Sequence, residues 1–415
     1  LARIAYTVVL EEELAEIRRD GLKLLNGRRK YIFDSREDCL RNLEIEERQE
    51  NLALLKMIIP LNIKIHSDTS GRKYVDKPCK NIYGGAEEVV VALDNWLASK
   101  GYKPINLLKD PPTEMLYKLR GEVRLARTYS DFWSMSHIPG YEAVVAFNFP
   151  APLAVFPKKT PMVWYVNEPP ELFTNLFRKP LERLNRWWVR HPHIATAVAT
   201  SFDRDRFESI YGLTPAVIPY GIDYDWWSAP TSSHEWPLPK GSINLLQVGT
   251  ITPHKNQLWS LYVLKHLDRL HPTTLTFIGK VTDDKYFQRL LKLIDEWRLG
   301  YKIQFLGHRS LEQVRWAYNN YDILLHPVTK AGGWLVPFEA TCAGIPVITV
   351  PEFQESWRFE NVFSSPEQAA RCCIALKSTH DEALREIIKK DFTWDKYCKN
   401  VVKLLEGLQI ANSNV

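Results

Sequence analysis

The sequence predicts an α/β fold in two domains, each a mainly parallel sheet covered by helices on both faces, and three observations carry that expectation. Runs rich in Val, Ile and Leu alternate with segments of helical periodicity along most of the chain, the pattern of strands buried on both faces. At 415 residues the chain is long enough for two substantial cores. The alternation breaks at residues 226–241 (WWSAPTSSHEWPLPKG), where proline, serine and glycine mark an interdomain linker.

Taken in order, residues 1–52 hold the helix formers EEELAEIRR and REDCLRNLEIEERQENLALL and read as a charged helical extension or hairpin. It can dock on the rest of the chain, bind a partner or be the remnant of a neighbouring domain. Leu1 suggests an unusual or trimmed start. Residues 53–225 form the first domain, with strands near 56–65, 104–108, 143–149, 162–167, 194–199 and 216–219. The helix after Gly84 and Gly85 places Val89, Leu93, Trp96 and Leu97 on one stripe, with Gly101 as its stop signal. The second domain, residues 242–380, carries strands near 243–248, 275–278, 303–306, 323–326 and 346–350. Between two of them Ser310 and Gln313 form a capping box ahead of Leu311, Val314 and Tyr318. Residues 381–415 are helical in pattern.

Composition narrows the function. With 45% hydrophobic residues the chain is globular, and a net charge of +5 gives mild attraction to anions. Lys and Arg are dispersed, so no nucleic-acid stripe is present. Six cysteines show neither metal-ligand spacing nor a disulfide framework, which predicts a reduced, cytoplasmic protein. No transmembrane stretch or secretory signal is visible. Leu181 to Ile194 interleaves Arg183, Arg186 and Arg190 with Trp187 and Trp188. That mixture suits peripheral contact with a membrane headgroup layer, but the simpler reading is an amphipathic helix packing its tryptophans inward.

The segment from Ala331 to Val350 (AGGWLVPFEATCAGIPVITV) joins a glycine turn, a helix start and a buried strand. Gly332 and Gly333 allow close backbone approach, Pro337 fits a first helical turn, and Gly344 can close the helix. Free amides at such a start attract an anion, and Glu339, one turn inside, can accept hydrogen bonds from sugar or ribose hydroxyls. A Gly-Gly turn is also ordinary loop chemistry. Upstream, SINLLQVGTITPHK (Ser242 to Lys255) is a strand ending at Gly249, with Lys255 just before a helical pattern. Lys255 can reach a diphosphate held between the two loops, or be a solvated surface lysine. The two loops together favour the phosphate reading.

The order VGTITPHKNQ, TLTFIGK, IQFLGHRSLEQVRWAYNNYDILLHP and GGWLVPFEATCAGIPVI resembles the donor half of retaining glycosyltransferase family 4, the glycosyl transferases group 1. NIYGGAEEVVVALDNWLASKGY, WYVNEPPELF and TSFDRDRFESIYGLTPAVIPYGID resemble its first domain, and the similarity runs from about Leu54 to Leu405. This resemblance implies a GT-B architecture: two Rossmann-like doubly wound domains facing across a cleft, with the last helices crossing back to the first. It implies hexosyl transfer from a UDP- or GDP-sugar to an acceptor hydroxyl with retention of configuration. No metal or other cofactor is expected, because positive groups neutralise the leaving diphosphate. Gly249, Thr250, Lys255, Gly307, His308, Gly332, Gly333, Trp334, Leu335 and Glu339 would bind the donor. Gly84 and Gly85 would form an acceptor or phosphate loop. Lys255, Asn167 and Glu339 would carry the catalytic roles, Glu339 through the nucleotide ribose. The acceptor would be a glycan or a lipid-linked molecule, in cell-surface glycan or glycolipid assembly at the inner membrane face, with variable loops such as Thr113 to Ser136 forming its pocket.

Three positions depart from the family pattern. Ala331 stands where the first glutamate of the family's pair is expected, Thr250 where an arginine follows the glycine, and Asn167 where a histidine precedes Glu-Pro-Pro. His254 can replace part of the missing charge or be an exposed loop histidine. The departures keep open a degenerate homologue that binds a nucleotide or glycan without turnover. A sugar-nucleotide epimerase on the same fold fits the glycine loops and Glu339 less well.

Overall fold

The structure, a computed structural model, describes residues 23–25, 28–30, 85–109, 111–126, 142–148, 151–155, 159–167, 179–231, 236–329, 335–376 and 381–413. The strand expected at 56–65 lies outside them. Between the two charged helix-forming runs of the N-terminal stretch, β1 (Lys23–Leu25) and β2 (Arg28–Lys30) pair antiparallel. The remaining described residues gather into two compact units. One takes the chain as far as Pro219 and again from Tyr397, the other takes Tyr220 to Lys396.

In the first unit, α1 (Gly85–Ser99) turns Val89 and Leu93 into the core. It leads to β3 (Ile105–Lys109), α2 (Thr113–Lys118) and β4 (Glu122–Ala126). β3 and β4 form a parallel pair of their own. This corrects the acceptor-loop expectation for Thr113 to Ser136, whose first half is a helix and a strand. Glu122 and Arg124 alternate with Val123 and Leu125, a strand period only four residues long, and Arg124 is buried and paired with Glu122 at 2.8 Å.

Asp94, on α1, ties this pair together. It is 2% exposed and accepts hydrogen bonds from Asn106 Nδ2 (2.5 Å), the Arg120 amide (2.6 Å) and the Gly121 amide (3.1 Å). Asp94→Ala leaves the Arg120 and Gly121 amides without this acceptor and is expected to cost about 3 kcal/mol. Thermal melting of the variant checks this.

The larger sheet of the unit runs β5 (Val144–Phe147), β6 (Met162–Val166), β7 (Ile194–Val198) and β8 (Ala216–Val217), all parallel. Every residue of β6 is buried, as a central strand requires. Trp164 meets Phe207 and Tyr211 edge-on at 5.4 and 5.3 Å. Those rings come from α4 (Ser201–Tyr211), which follows α3 (Lys179–Trp188) and is capped by Thr200 accepting from the Asp203 amide.

Helix α3 divides its two tryptophans. Trp188 is buried and donates to the Pro152 carbonyl at 3.0 Å, whereas Trp187 is 52% exposed. Arg186 donates to the Ile210 carbonyl and Arg190 to the Tyr211 carbonyl. Two of the three arginines therefore serve the fold. Among the described residues no helix is long and apolar enough to cross a membrane.

The second unit opens with α5 (Tyr224–Ser228), inside the stretch read as domain end and linker. Asp223 caps it by accepting from the Trp226 amide at 3.0 Å. There follow β9 (Ile243–Val248), α6 (Gln257–Leu267), β10 (Thr273–Ile278), α7 (Asp284–Glu296), β11 (Ile303–Phe305), α8 (Leu311–Asn320), β12 (Ile323–His326), α9 (Leu335–Ala343) and β13 (Val347–Thr349). Then come α10 (Pro366–Leu376), α11 (Glu382–Asp391) and α12 (Trp394–Ser413). The sheet is parallel throughout, in the order β11-β10-β9-β12-β13. The capping box forms as the sequence predicts: the Gln313 amide donates to Ser310 Oγ, and the Ser310 amide to Gln313 Oε1. Helix α9 begins at Leu335, two residues ahead of Pro337, and packs against α5 and α11.

The turn into α12 rests directly on the chain near α5. Gly221 is required there, because a β-carbon would overlap the Trp394 backbone, and the Ile222 amide donates to the Phe392 carbonyl at 2.8 Å. From Tyr397 onward the helix belongs to the first unit, with Tyr397 edge-on to Tyr165 and Cys398 Sγ directed at the Ala92 carbonyl.

Candidate functional site

In the second unit the strand order reverses between β9 and β12, because the chain runs outward through β10 and β11 before returning to β9's other edge. Loops leaving the carboxyl ends of two strands at such a reversal diverge and open a crevice, the usual ligand site of an open parallel sheet. Here they are the loop from Gly249 to Asn256 after β9 and the segment from Pro327 after β12.

The β9 loop is held on several sides. The Gly249 amide donates to the Ile278 carbonyl and the Gly279 amide to the Gly307 carbonyl, each at 2.8 Å, so the ends of β9, β10 and β11 are laced in a row. Gly249, Gly279 and Gly307 take φ values of 139°, 153° and 67°. At Gly279 a β-carbon would overlap the Gly249 carbonyl. On the other side the Thr329 amide donates to the His254 carbonyl at 3.0 Å, joining the two loops across the switch point.

Pro253 to Lys255 form one 3-10 turn, and Asn256 takes a left-handed φ of 55° before α6 starts. Asparagine tolerates that conformation better than most side chains. The Lys255 stem crosses Gly249, with Cδ and Cε 3.7 Å from where a β-carbon would stand. A β-carbon at Gly249 would only touch it, whereas a side chain longer than alanine would compete for its place. Burial lowers the Lys255 pKa to about 8, because an ammonium loses hydration in the fold. His254 is half-buried and its Nδ1 lies 2.9 Å from Thr252 Oγ1, so it is not the exposed loop histidine of the alternative reading.

Two residues that the sequence reading missed support the loop from below. Gln247 Nε2 donates to the Lys255 carbonyl at 2.7 Å, and Gln257 Nε2 to the Thr250 carbonyl at 2.9 Å. Both bond main-chain carbonyls, and Asn244 in the same strand shows that a polar residue in β9 does not by itself mark a loop support.

Glu339 lies in the second turn of α9, half-buried. Tyr318 of α8 is 1% exposed, and burial first, then the Glu339 carboxylate, raise its phenol well above the usual range. A side-chain hydrogen bond with Glu339 adds to the effect of its charge. Cys342, one turn on, is pushed up to about 12 by burial and then by Glu339, with Arg385 opposing. Leu335 is buried at the start of α9. Gly332, Gly333 and Trp334 lie outside the described residues, as does Ala331. The Gly307 carbonyl is engaged by Gly279, and His308 is exposed.

In the first unit, Asn167 follows β6 and its amide donates to Asn148 Oδ1 at 2.7 Å. Asn148, buried at the end of β5 with φ 57°, was also missed; its carbonyl accepts from Trp164 Nε1. Gly85 is the exposed first residue of α1, and Gly84 lies outside the described residues.

Comparison with known proteins follows the same division. The model of the family "Glycosyl transferases group 1" matches residues 229–354, which hold the β9 loop and the start of α9. No curated protein matches the chain. Among solved structures, Anabaena HepE in complex with UDP and glucose is similar at a TM-score of 0.63 and 16% identity, covering 82% of this chain and 98% of its own. Sucrose-phosphate synthase from Thermosynechococcus elongatus gives 0.63 and 16%, with 79% and 94% covered. A glycosyltransferase from Rickettsia africae gives 0.61 and 15%, with 79% and 97% covered. At such identities the likeness speaks for the fold. The chain therefore has the GT-B fold, and its residues 229–354 are similar to the glycosyl transferases group 1 family.

Proposed function

We propose that this protein is a retaining hexosyltransferase that moves a sugar from a UDP- or GDP-sugar to an acceptor hydroxyl without a metal ion. The observation that carries the reading is the half-buried Lys255 ammonium at the sheet's switch point, in a loop tied to the one that leads into α9. A cation with reduced hydration stabilises a leaving diphosphate more strongly than one in water. The amide-rich start of α9 adds positive character at the same end of the sheet.

In this reading the bond between the anomeric carbon and the diphosphate oxygen breaks as Lys255 takes up the developing charge. The acceptor oxygen bonds to the same face of that carbon, and its proton passes to the departing phosphate oxygen. No protein nucleophile is needed. Glu339 accepts from the ribose hydroxyls, and Asn167 hydrogen-bonds a sugar hydroxyl. Anabaena HepE, solved with UDP-glucose, supports the donor class. A glycan or lipid-linked acceptor, cytoplasmic location and peripheral membrane contact through Trp187 and Arg183 belong to the same proposal.

Nucleoside diphosphate release from a panel of UDP- and GDP-sugars, with thermal stabilisation by each, tests it. Stabilisation and release by one donor are expected; neither, across the panel with candidate acceptors, would sink the proposal. Stabilisation without release favours a non-catalytic binder, a reading that draws on Thr250, which brings no cation to the loop. Glu339→Ala is expected to raise the donor KM about tenfold, the worth of one or two charge-assisted hydrogen bonds.

A further inference from the structure

The β9 loop has a framework that the proposed reaction does not itself use. Gln247, 3% exposed, is the fifth residue of β9, and Gln257, 0% exposed, is the first of α6. A carboxamide in so dry a place is costly unless it is bonded. Each of these bonds the loop, and the two bonds cross. The residue ahead of the loop holds the Lys255 carbonyl near its end, while the residue behind it holds the Thr250 carbonyl near its start.

The remaining carboxamide oxygens, Gln247 Oε1 and Gln257 Oε1, are buried without a hydrogen-bond partner among the described residues. An apolar side chain at either position would carry no such penalty. Helix start and strand end are secured independently, since the Leu258 amide donates to Tyr286 Oη and the Gly249 amide to the Ile278 carbonyl. The glutamines are therefore not needed to join β9 to α6.

We infer that Gln247 and Gln257 are positioning residues that clasp the loop crosswise and hold Lys255 where it meets the donor diphosphate. The inference rests on the proposed reading of Lys255. It assigns the two side chains no contact with substrate. Their effect passes through the peptide carbonyls of Lys255 and Thr250, which fix where the lysine stem leaves the turn.

The test titrates UDP and GDP into the full chain between pH 6.5 and 9.5, for wild type, Lys255→Ala, Gln247→Met and Gln257→Met. Methionine keeps the volume and removes the amide donor. Each glutamine variant is expected to bind about tenfold more weakly at pH 7. Its alkaline loss of affinity should also move upward from about pH 8, because a loosened turn lets water reach the ammonium. Global destabilisation would not move that pH limb in protein that remains folded, which circular dichroism monitors.

Lys255-dependent binding with glutamine variants that match wild type in affinity and pH profile would overturn the clasp alone. Binding of neither nucleotide, or a Lys255→Ala variant equal to wild type, would remove the site assignment and the clasp with it. Should Gln247→Met not fold, Gln257→Met carries the same comparison from the helix side.

Discussion

Lys255→Ala is expected to weaken nucleoside diphosphate binding about 10- to 100-fold at pH 7, the range of a charge-assisted hydrogen bond to phosphate. Turnover should fall at least as far, since charge on the diphosphate grows as the glycosidic bond breaks. Isothermal titration and a diphosphate-release assay measure the two. The pH dependence gives the variant a signature. With a pKa of about 8, Lys255 is protonated at pH 7 and loses its charge as the pH rises through 8. Wild-type affinity should decline on that limb, while the alanine variant stays weak and flat across it. Lys255→Arg keeps its charge and should hold whatever affinity it has at pH 9. Stability runs the other way. A lysine whose folded pKa is depressed burdens the native state fully below pH 8. That burden is relieved between about 8 and the ordinary lysine value, because the unfolded chain binds more protons there.

Gly279→Ala should be a strongly damaging small substitution in the second unit. Its φ of 153° lies outside the range that side chains adopt readily, and the added carbon would overlap the Gly249 carbonyl. Strain and overpacking together are expected to cost about 3 kcal/mol or more, which for a unit of this size lowers the melting temperature by about 10 °C. The lesion also reaches the ligand. Gly249 lies against the Lys255 stem, so any shift that relieves the overlap moves the ammonium. A variant that melts like wild type and binds donor normally would show that the row of glycine corners is not a rigid support.

What the sequence disclosed follows from where it has a strong period. The buried runs Ile243 to Val248 and Ile323 to His326 announce central parallel strands, and both lie where expected. Ser310 and Gln313 announce a helix start by chemistry that acts over four residues. The β4 strand went unread because its alternation of Glu122 and Arg124 with Val123 and Leu125 is short, and the burial of Arg124 against Glu122 is visible only in three dimensions. Helix α5 was hidden by neighbouring proline and serine, although Asp223 ahead of Tyr224 was a cap in plain sight. At the candidate site, Lys255 and Glu339 were legible from motif order. Gln247 and Gln257 were not, since their partners are main-chain carbonyls that carry no sequence signal. Tyr318 read only as part of an apolar stripe, and its relation to Glu339 depends on how α8 and α9 meet.

Placing β9 between β10 and β12 also sets an order of events. β10 is its next strand in the chain, but the other flank arrives late: Asp322 accepts from the Asn244 amide across 78 residues, and Thr329 meets His254 across 75. Closing such distant segments is entropically slow. The crevice is thus among the last features to exist as a nascent or refolding chain matures, and recovery of nucleotide affinity would clock completion of assembly while helical signal returns earlier.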